Sequence, residues 1–410
     1  MSVVAALVTR AREVPLTQAI RRLAELQVLD TVAVLAAGRE HPLAAKLARI
    51  LPGHTLLETI EADATLAHAD EFDVLHPAAG VCPGALVVPA ALALGAELDV
   101  PGARLIEAVV RGYDVLIEAA LSFGGSGLYA RGWWPSAVFG AMGSAMAAAT
   151  LLDLDAGQTA AAVALAAAPL GGLLAADRFG DSHYLMLGRA AARGVRAAFE
   201  AQAGMTTSTR LLDEPAAAAL GRAAQPTGRP GSHLAEVAFK FWPCARPLQA
   251  ALAALGVLRD RGVPLAEATD VELSLPAAAA RIVNLRREPE SPADAAASAV
   301  VAVAGASAGR DHDPAWYRDA GGGKPVTGPR VRLCQDPRLD ARCPAQWGAT
   351  VRVKGTGIDE WSTVDDAPGA APLSEQDEAR VLRKAHRLLG PEARTWLGIG
   401  AARSGSARWC

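Results

Sequence analysis

The sequence predicts a mainly α-helical protein with a smaller α/β part towards its C-terminal end. Of its 410 residues 51% are hydrophobic but only 5% aromatic, and alanine supplies much of the bulk. Alanine packs tightly and has the best helix propensity, so this composition favours closely packed helices over a β-sandwich. Apolar residues recur at helical spacing through the first half, whereas strand-like alternation is confined to residues 269–355. A chain of this length can hold two or three domains and bury a large core.

Taken in order, Leu16 to Ala37 carries Ile20, Leu23, Leu26, Val28, Val32 and Leu35 on a helical period and stops at Gly38, read as the C′ residue. Val88 to Gly95, Gly102 to Ser122 and Ala137 to Leu152 continue the pattern. Asp155 with Gln158 three residues on predicts a capping box opening an Ala-rich helix. Arg189 to Ala203 is a further helix, stopped by Gly204. The Pro/Gly segment 223–231 reads as a linker or loop. Beyond it, Pro247 to Arg261 is helical, while Thr269–Leu275, Val331–Leu333 and Ala349–Lys354 read as strands. Asp311 to Gly328 reads as a loop, and Ser374 to Leu389 as a helix capped by Ser374 and ended by Gly390. The predicted organisation is a discontinuous helical domain, residues 1–235 and 370–410, with an α/β lid domain at 236–369 between its parts.

A net charge of −3 argues against a nucleic-acid partner. The five cysteines, at 82, 244, 334, 343 and 410, form no CxxC pair, which points to free thiols in a reducing cytoplasm. Arg10 and Arg12 arrive too early for a secretory leader. The uncharged run from Ala160 to Ala176 is broken by Pro169 and Gly171-Gly172, so it reads as core helix and not as a membrane span. No HExxH pattern or cluster-like cysteine spacing appears, and neither a metal nor another cofactor is expected. His68, His76 and Asp73 offer metal-ligand chemistry, but at no standard metal-binding spacing.

Several stretches, in this order, resemble the MmgE/PrpD family of 2-methylcitrate dehydratase and cis-aconitate decarboxylase. They are Leu29-Asp-Thr to Ala-Gly38, Ala67-His-Ala-Asp-Glu-Phe-Asp73, Cys82-Pro-Gly running into an Ala/Leu helix, and Gly112-Tyr-Asp114. Gly132-Trp-Trp-Pro-Ser, Leu187-Gly-Arg-Ala-Ala191 and Lys240-Phe-Trp-Pro-Cys244 follow. The resemblance spans residues 29–250 and fades through the α/β part. It implies a large all-helical domain, a smaller α/β lid, a homodimer, and a cofactor-independent lyase site between the domains.

The resemblance also places the site residues and marks where this chain departs. Glu71 stands at the family's first Asp of Asp-Phe-Asp-Asp, with Asp73 and His76 following; Leu75 replaces a Thr, and Cys82 replaces a His. Trp134 replaces another His, His183 (beside Tyr184) replaces a Lys, and Gln249 replaces a third His, while Lys240 is kept and Arg246 lies nearby. Lys240, His183, Cys82 and Glu71 are thus the catalytic candidates. Asp73, Leu75, His76, Trp134, Tyr184, Arg246 and Gln249 are the substrate-binding ones. The replacements remove hydrogen-bonding and cationic groups and add apolar area, which suits a substrate less charged than aconitate. Cys82 reads in two ways, as a small core hydrophobe or as the thiol of a Cys82/His183 pair whose pKa the imidazole lowers.

The chemistry that fits is removal of a proton next to a carboxylate or carbonyl of a small-molecule substrate, a step shared by dehydratases, decarboxylases and epimerases. A repurposed biosynthetic cyclase or isomerase for a larger, apolar substrate is the alternative enzyme. A dimeric binding protein that has lost the chemistry is the non-enzymatic one.

Overall fold

The computed structural model describes residues 1–174, 180–343, 345–396 and 399. Among the described residues the first half of the chain forms the α-helices α1 Val3–Glu13, α2 Gln18–Gly38, α3 Pro42–Ile50, α4 Leu56–His68, α5 Pro83–Glu97, α6 Gly102–Ser122, α7 Pro135–Leu151, α8 Ala156–Ala167, α9 Asp181–Gln202 and α10 Glu214–Leu220. α7 is buried on every side, because α5, α6, α8 and α9 all pack around it. That arrangement explains why its sequence is apolar all round and carries no amphipathic stripe.

Two glycines set how closely the site-bearing helices approach. Gly38 does not end α2 in a left-handed turn; it lies in the last helical turn, where a Cβ would stand 2.1 Å from the main-chain oxygen of Leu66. On α9, a Cβ at Gly188 would stand 2.2 Å from Glu61 O. Backbone contact between α4 and α9 brings His68, at the end of α4, beside His183, in the first turn of α9. α9 begins at Asp181, ahead of the predicted start at Arg189, with Gly180 extended before it and an acid in its positively polarised first turn.

The second half adds α11 Arg246–Asp260, β1 Ala268–Leu275, α12 Ala277–Ala280, α13 Pro292–Ala296, α14 Ala299–Ser307 and α15 Pro314–Ala320. It continues with β2 Arg330–Gln335, α16 Pro337–Asp340, β3 Ala349–Gly355, β4 Ile358–Val364, α17 Glu375–Leu389 and α18 Ala393–Trp396. The sheet order is β2-β1-β3-β4, with β1 parallel to β2 and antiparallel to β3, and β3 antiparallel to β4. Val271, Leu273 and Leu275 of β1 and Val351 and Val353 of β3 are buried, and α11 packs against β3 and β4.

No local pattern marks β4, because this edge strand buries only Ser362 and lacks the alternation of a half-buried strand. The segment Asp311–Gly328 is not all loop: Asp313 caps the short helix α15. From α15, Arg318 reaches Ala37 O at 2.6 Å and pairs with Asp70. The segment 223–231 lies on the surface but is tied to α6, since Thr227 N donates to Glu118 at 2.7 Å. α17 is capped by Ser374, stops at Gly390 with φ +61, and packs on α2. Asp155 and Gln158 form the predicted capping box. Among the described residues no helix is long and apolar enough to cross a membrane.

Candidate active site

Two turns build the site. The chain leaving α4 runs through residues 69–76, and the chain entering α11 runs through 237–245. They join in one antiparallel bridge, with Leu75 N donating to Ala238 O at 2.9 Å and Ala238 N to Leu75 O at 2.8 Å. The bridge sets Glu71 and Asp73 opposite Lys240. Gln249, fully buried on α11, shapes the second turn: its Oε1 accepts from Phe241 N (3.0 Å) and Trp242 N (3.3 Å), and its Nε2 donates to Trp242 O (2.8 Å) and Cys244 O (3.2 Å).

Glu71 is the hub. Its backbone is left-handed, φ +52, a conformation that costs a side-chain-bearing residue about 1–2 kcal/mol. Lys240 Nζ donates to Glu71 O at 2.8 Å and to Glu71 Oε2 at 3.3 Å, and lies 3.9 Å from Asp73 Oδ1. Glu71 Oε1 faces two imidazoles, His68 Nε2 at 3.4 Å and His183 Nε2 at 3.6 Å. On its other side His68 Nδ1 meets Asp73 Oδ1 at 2.9 Å. Trp134 stacks on His183 with centroids 3.9 Å apart, and Tyr184 stands edge-on to His68 and His183 at 5.5 and 5.3 Å. The buried Tyr184 hydroxyl has no hydrogen-bond partner among the described residues.

Charge decides which of these groups carry protons. Burial alone would raise the Glu71 carboxyl, but His68 and Lys240 outweigh it and hold Glu71 well below the usual carboxylate range. Burial would likewise strip the proton from His68, yet Asp73 and then Glu71 keep it protonated above the ordinary histidine value. Lys240 is raised against its own burial by Glu71 and Asp73. For His183 burial wins over the bond to Glu71, and its pKa is lowered. His68 and Lys240 are thus pushed towards their charged forms and His183 towards its neutral form.

Of the two readings of Cys82, its surroundings favour the small core hydrophobe. Its thiol groups with His68 and Asp73, and Cys82 N donates to Ser136 Oγ at 3.0 Å. Burial, reinforced by Asp73, pushes the thiol well above its usual range, the reverse of the low-pKa thiol expected of a Cys82/His183 pair.

Other sequence candidates are placed elsewhere. His76 turns away to Glu236, with Nε2 3.4 Å from Oε2, and stands edge-on to His233 at 6.3 Å. Asp70 is taken up by Arg318. Gln249 uses its amide on the backbone of residues 241–244, as above, and so orders the turn. Arg246 donates to Phe239 O at 3.4 Å, and burial lowers its pKa to about 10 with Asp366 as the opposing charge. Leu75 is half-buried in the bridge. His68, which the sequence suggested only for metal chemistry, is central here. Lys384, which it did not suggest at all, lies directly behind. Cys410 lies outside the described residues.

Three groups have metal-ligand chemistry: His68/Glu71/His183, His68/Asp73/Cys82 and His76/His233/Glu236. In the first two, the ammonium of Lys240 already stands against both acids, and a divalent cation would have to sit beside it. In the third, His76 Nδ1 accepts from Ala79 N at 3.1 Å, so the proton sits on Nε2, the atom that faces Glu236. That atom has no lone pair to offer.

Comparison with known proteins agrees with this architecture. Residues 61–225 match the MmgE/PrpD N-terminal domain. Over 171 residues the chain is 31% identical to the cis-aconitate decarboxylase-like protein oryM of Aspergillus oryzae (strain ATCC 42149 / RIB 40), a stretch covering 39% of this chain and 35% of that protein. The chain thus spans about a third of the length of the curated relative it matches. The matched stretch, which resembles the N-terminal domain of the MmgE/PrpD family, contains His68, Glu71, Asp73, Cys82, Trp134 and His183.

Proposed function

We propose that this protein is a lyase or isomerase that removes a proton next to a carboxylate or carbonyl, of dehydratase, decarboxylase or epimerase type, on a substrate less charged than aconitate. The observation that carries the reading is the Glu71 carboxylate, with two imidazoles and an ammonium within 3.6 Å of its oxygens. Neutral His183 is the base. Once it takes the proton, Glu71 stabilises the imidazolium, the role a carboxylate plays behind a catalytic histidine. Lys240 and protonated His68 supply positive potential for charge developing on the substrate oxygens, and the unpartnered Tyr184 hydroxyl is placed to donate to one of them. Cys82, held protonated, acts as a neutral thiol and not as a nucleophile.

The charge balance supports the substrate class. Glu71 and Asp73 are already matched by Lys240 and His68, which leaves little surplus positive charge for a tricarboxylate. Trp134 against His183 adds apolar surface where the chemistry happens. That contact also favours the second reading, a cyclase or isomerase for a larger apolar molecule, which uses the same proton abstraction. In both readings the chain works without a cofactor, as a cytoplasmic homodimer. The helical part (1–235 and 370–410) carries the base, and the 236–369 part supplies Lys240.

The test is mass spectrometry of a cell extract incubated with the purified protein. Depletion of a neutral or singly charged carboxylic or carbonyl compound, abolished by His183→Ala, supports the reading. Efficient consumption of aconitate or 2-methylcitrate, near an ordinary turnover of ~10 per second, contradicts the substrate class.

A further inference from the structure

α17 is a strongly polar helix whose buried face holds Val381, Ala385 and one cation, Lys384, only 2% exposed. Packing alone would be served by an aliphatic side chain there, because a buried ammonium is costly unless its charge and its donors are all used. All are used. Lys384 Nζ lies 2.9 Å from Asp30 Oδ1 on α2, donates to Phe72 O at 2.8 Å and to Lys240 O at 3.1 Å, and sits 3.8 Å above the Phe72 ring.

The two carbonyls belong to the two turns that build the site. Phe72 separates Glu71 from Asp73, and Lys240 is the lysine that grips Glu71. Consecutive main-chain oxygens are thus held by different lysines, Glu71 O by Lys240 and Phe72 O by Lys384. Lys384 in turn holds the backbone of Lys240. One buried ammonium, from a helix far along the chain, ties the acid-bearing turn to the lysine-bearing turn.

We infer that Lys384, with Asp30 as its counter-charge, is a positioning residue that fixes Glu71 and Asp73 against His68 and Lys240. Its bearing on turnover rests on the lyase-type reading above, but the geometry it enforces does not. Removal of Lys384 loosens the left-handed turn at Glu71, and the two acids then move away from His68.

The test reads His68 without any substrate, by NMR titration of protein labelled with 15N-histidine. The principal variant is the double substitution Asp30→Asn/Lys384→Met, which removes both charges together and so leaves the local charge balance unchanged. The expected result is a folded protein in which the His68 midpoint drops towards the ordinary histidine value. Lys384→Arg, which keeps the charge and the donors, should restore the wild-type midpoint. Asp30→Asn/Lys384→Gln, which also removes both charges, decides the matter where the first double variant does not fold, and should lower the midpoint in the same direction. An unchanged His68 midpoint in a folded neutral variant overturns the inference. Failure of both neutral variants to fold also overturns it, because Lys384 would then be a determinant of the fold. Absence of turnover in the wild type would count against the lyase reading alone and would leave this result standing.

Discussion

Lys240 holds Glu71 twice, by its main-chain oxygen at 2.8 Å and by its carboxylate at 3.3 Å. One ammonium therefore fixes both the left-handed backbone of Glu71 and the direction in which its side chain points. With Lys240→Met, Glu71 and Asp73 would stay buried beside a single remaining cation. Losing one partner of a buried charge set costs about 3–5 kcal/mol. Urea denaturation should show a loss of that order, together with loss of turnover. A variant as stable as the wild type would mean that the contact is incidental.

The two histidines that face Glu71 are driven in opposite directions, which fixes the sign of the pH dependence. His183 lies below the ordinary histidine value, so it becomes protonated, and is lost as a base, only as pH falls through a point below about 6.5. His68 lies above that value, so its positive charge is lost only as pH rises through a point above about 6.5. The kcat/KM profile should be a plateau bounded by these two limbs. An acid limb lying above neutral pH would contradict the assignment of His183 as base.

Burial and Asp73 keep the Cys82 thiol protonated, whereas Cys334 is exposed. Iodoacetamide at pH 7 should label Cys334 long before Cys82, with the order read by peptide mass spectrometry. Cys82→Ser should keep turnover within about tenfold of the wild type, a loss of under ~1.4 kcal/mol in barrier. Preferential labelling of Cys82 would revive the thiolate reading.

Gln249→Leu removes the acceptor for Phe241 N and Trp242 N and the donor for Trp242 O and Cys244 O. Each buried group left without a partner costs about 1–3 kcal/mol. Part of that should be recovered by relaxation of the turn, so the measured loss of unfolding free energy should be roughly 2–4 kcal/mol. Turnover should fall as well, because Lys240 begins this turn. A stability change under about 0.5 kcal/mol, the range of an ordinary surface substitution, would show that the turn holds its shape without Gln249.

Much of this was legible in the sequence where the signal is local. The Asp155/Gln158 capping box and the Ser374-to-Gly390 helix are written in residues a few positions apart, and both form as read. Gly38 was misread because its reason is tertiary: it makes room for Leu66 O on another helix. β4 was missed because an edge strand with one buried side chain carries no alternation. In the site, residue types at motif positions drew attention to Glu71, Asp73, His183 and Lys240, which the fold brings together. The direction of each side chain was not legible. His76 turns to Glu236, while His68 turns inward because Asp73 takes its Nδ1. Lys384 lies 144 residues beyond Lys240, on a helix whose pattern reads as polar, and nothing local marks it.

In the proposed reaction His183, backed by Glu71, removes a proton from carbon. Hydrogen–deuterium exchange at that carbon tests it without requiring the full reaction. Wild-type protein in deuterium oxide would be mixed with a panel of mono- and uncharged carboxylic and carbonyl compounds, and loss of the α-proton signal followed by NMR. Exchange of at least one compound is expected, slowed about 10²–10⁴-fold by His183→Ala, the usual contribution of a positioned base. Exchange no faster than buffer across the panel, or equal exchange by the alanine variant, would contradict it.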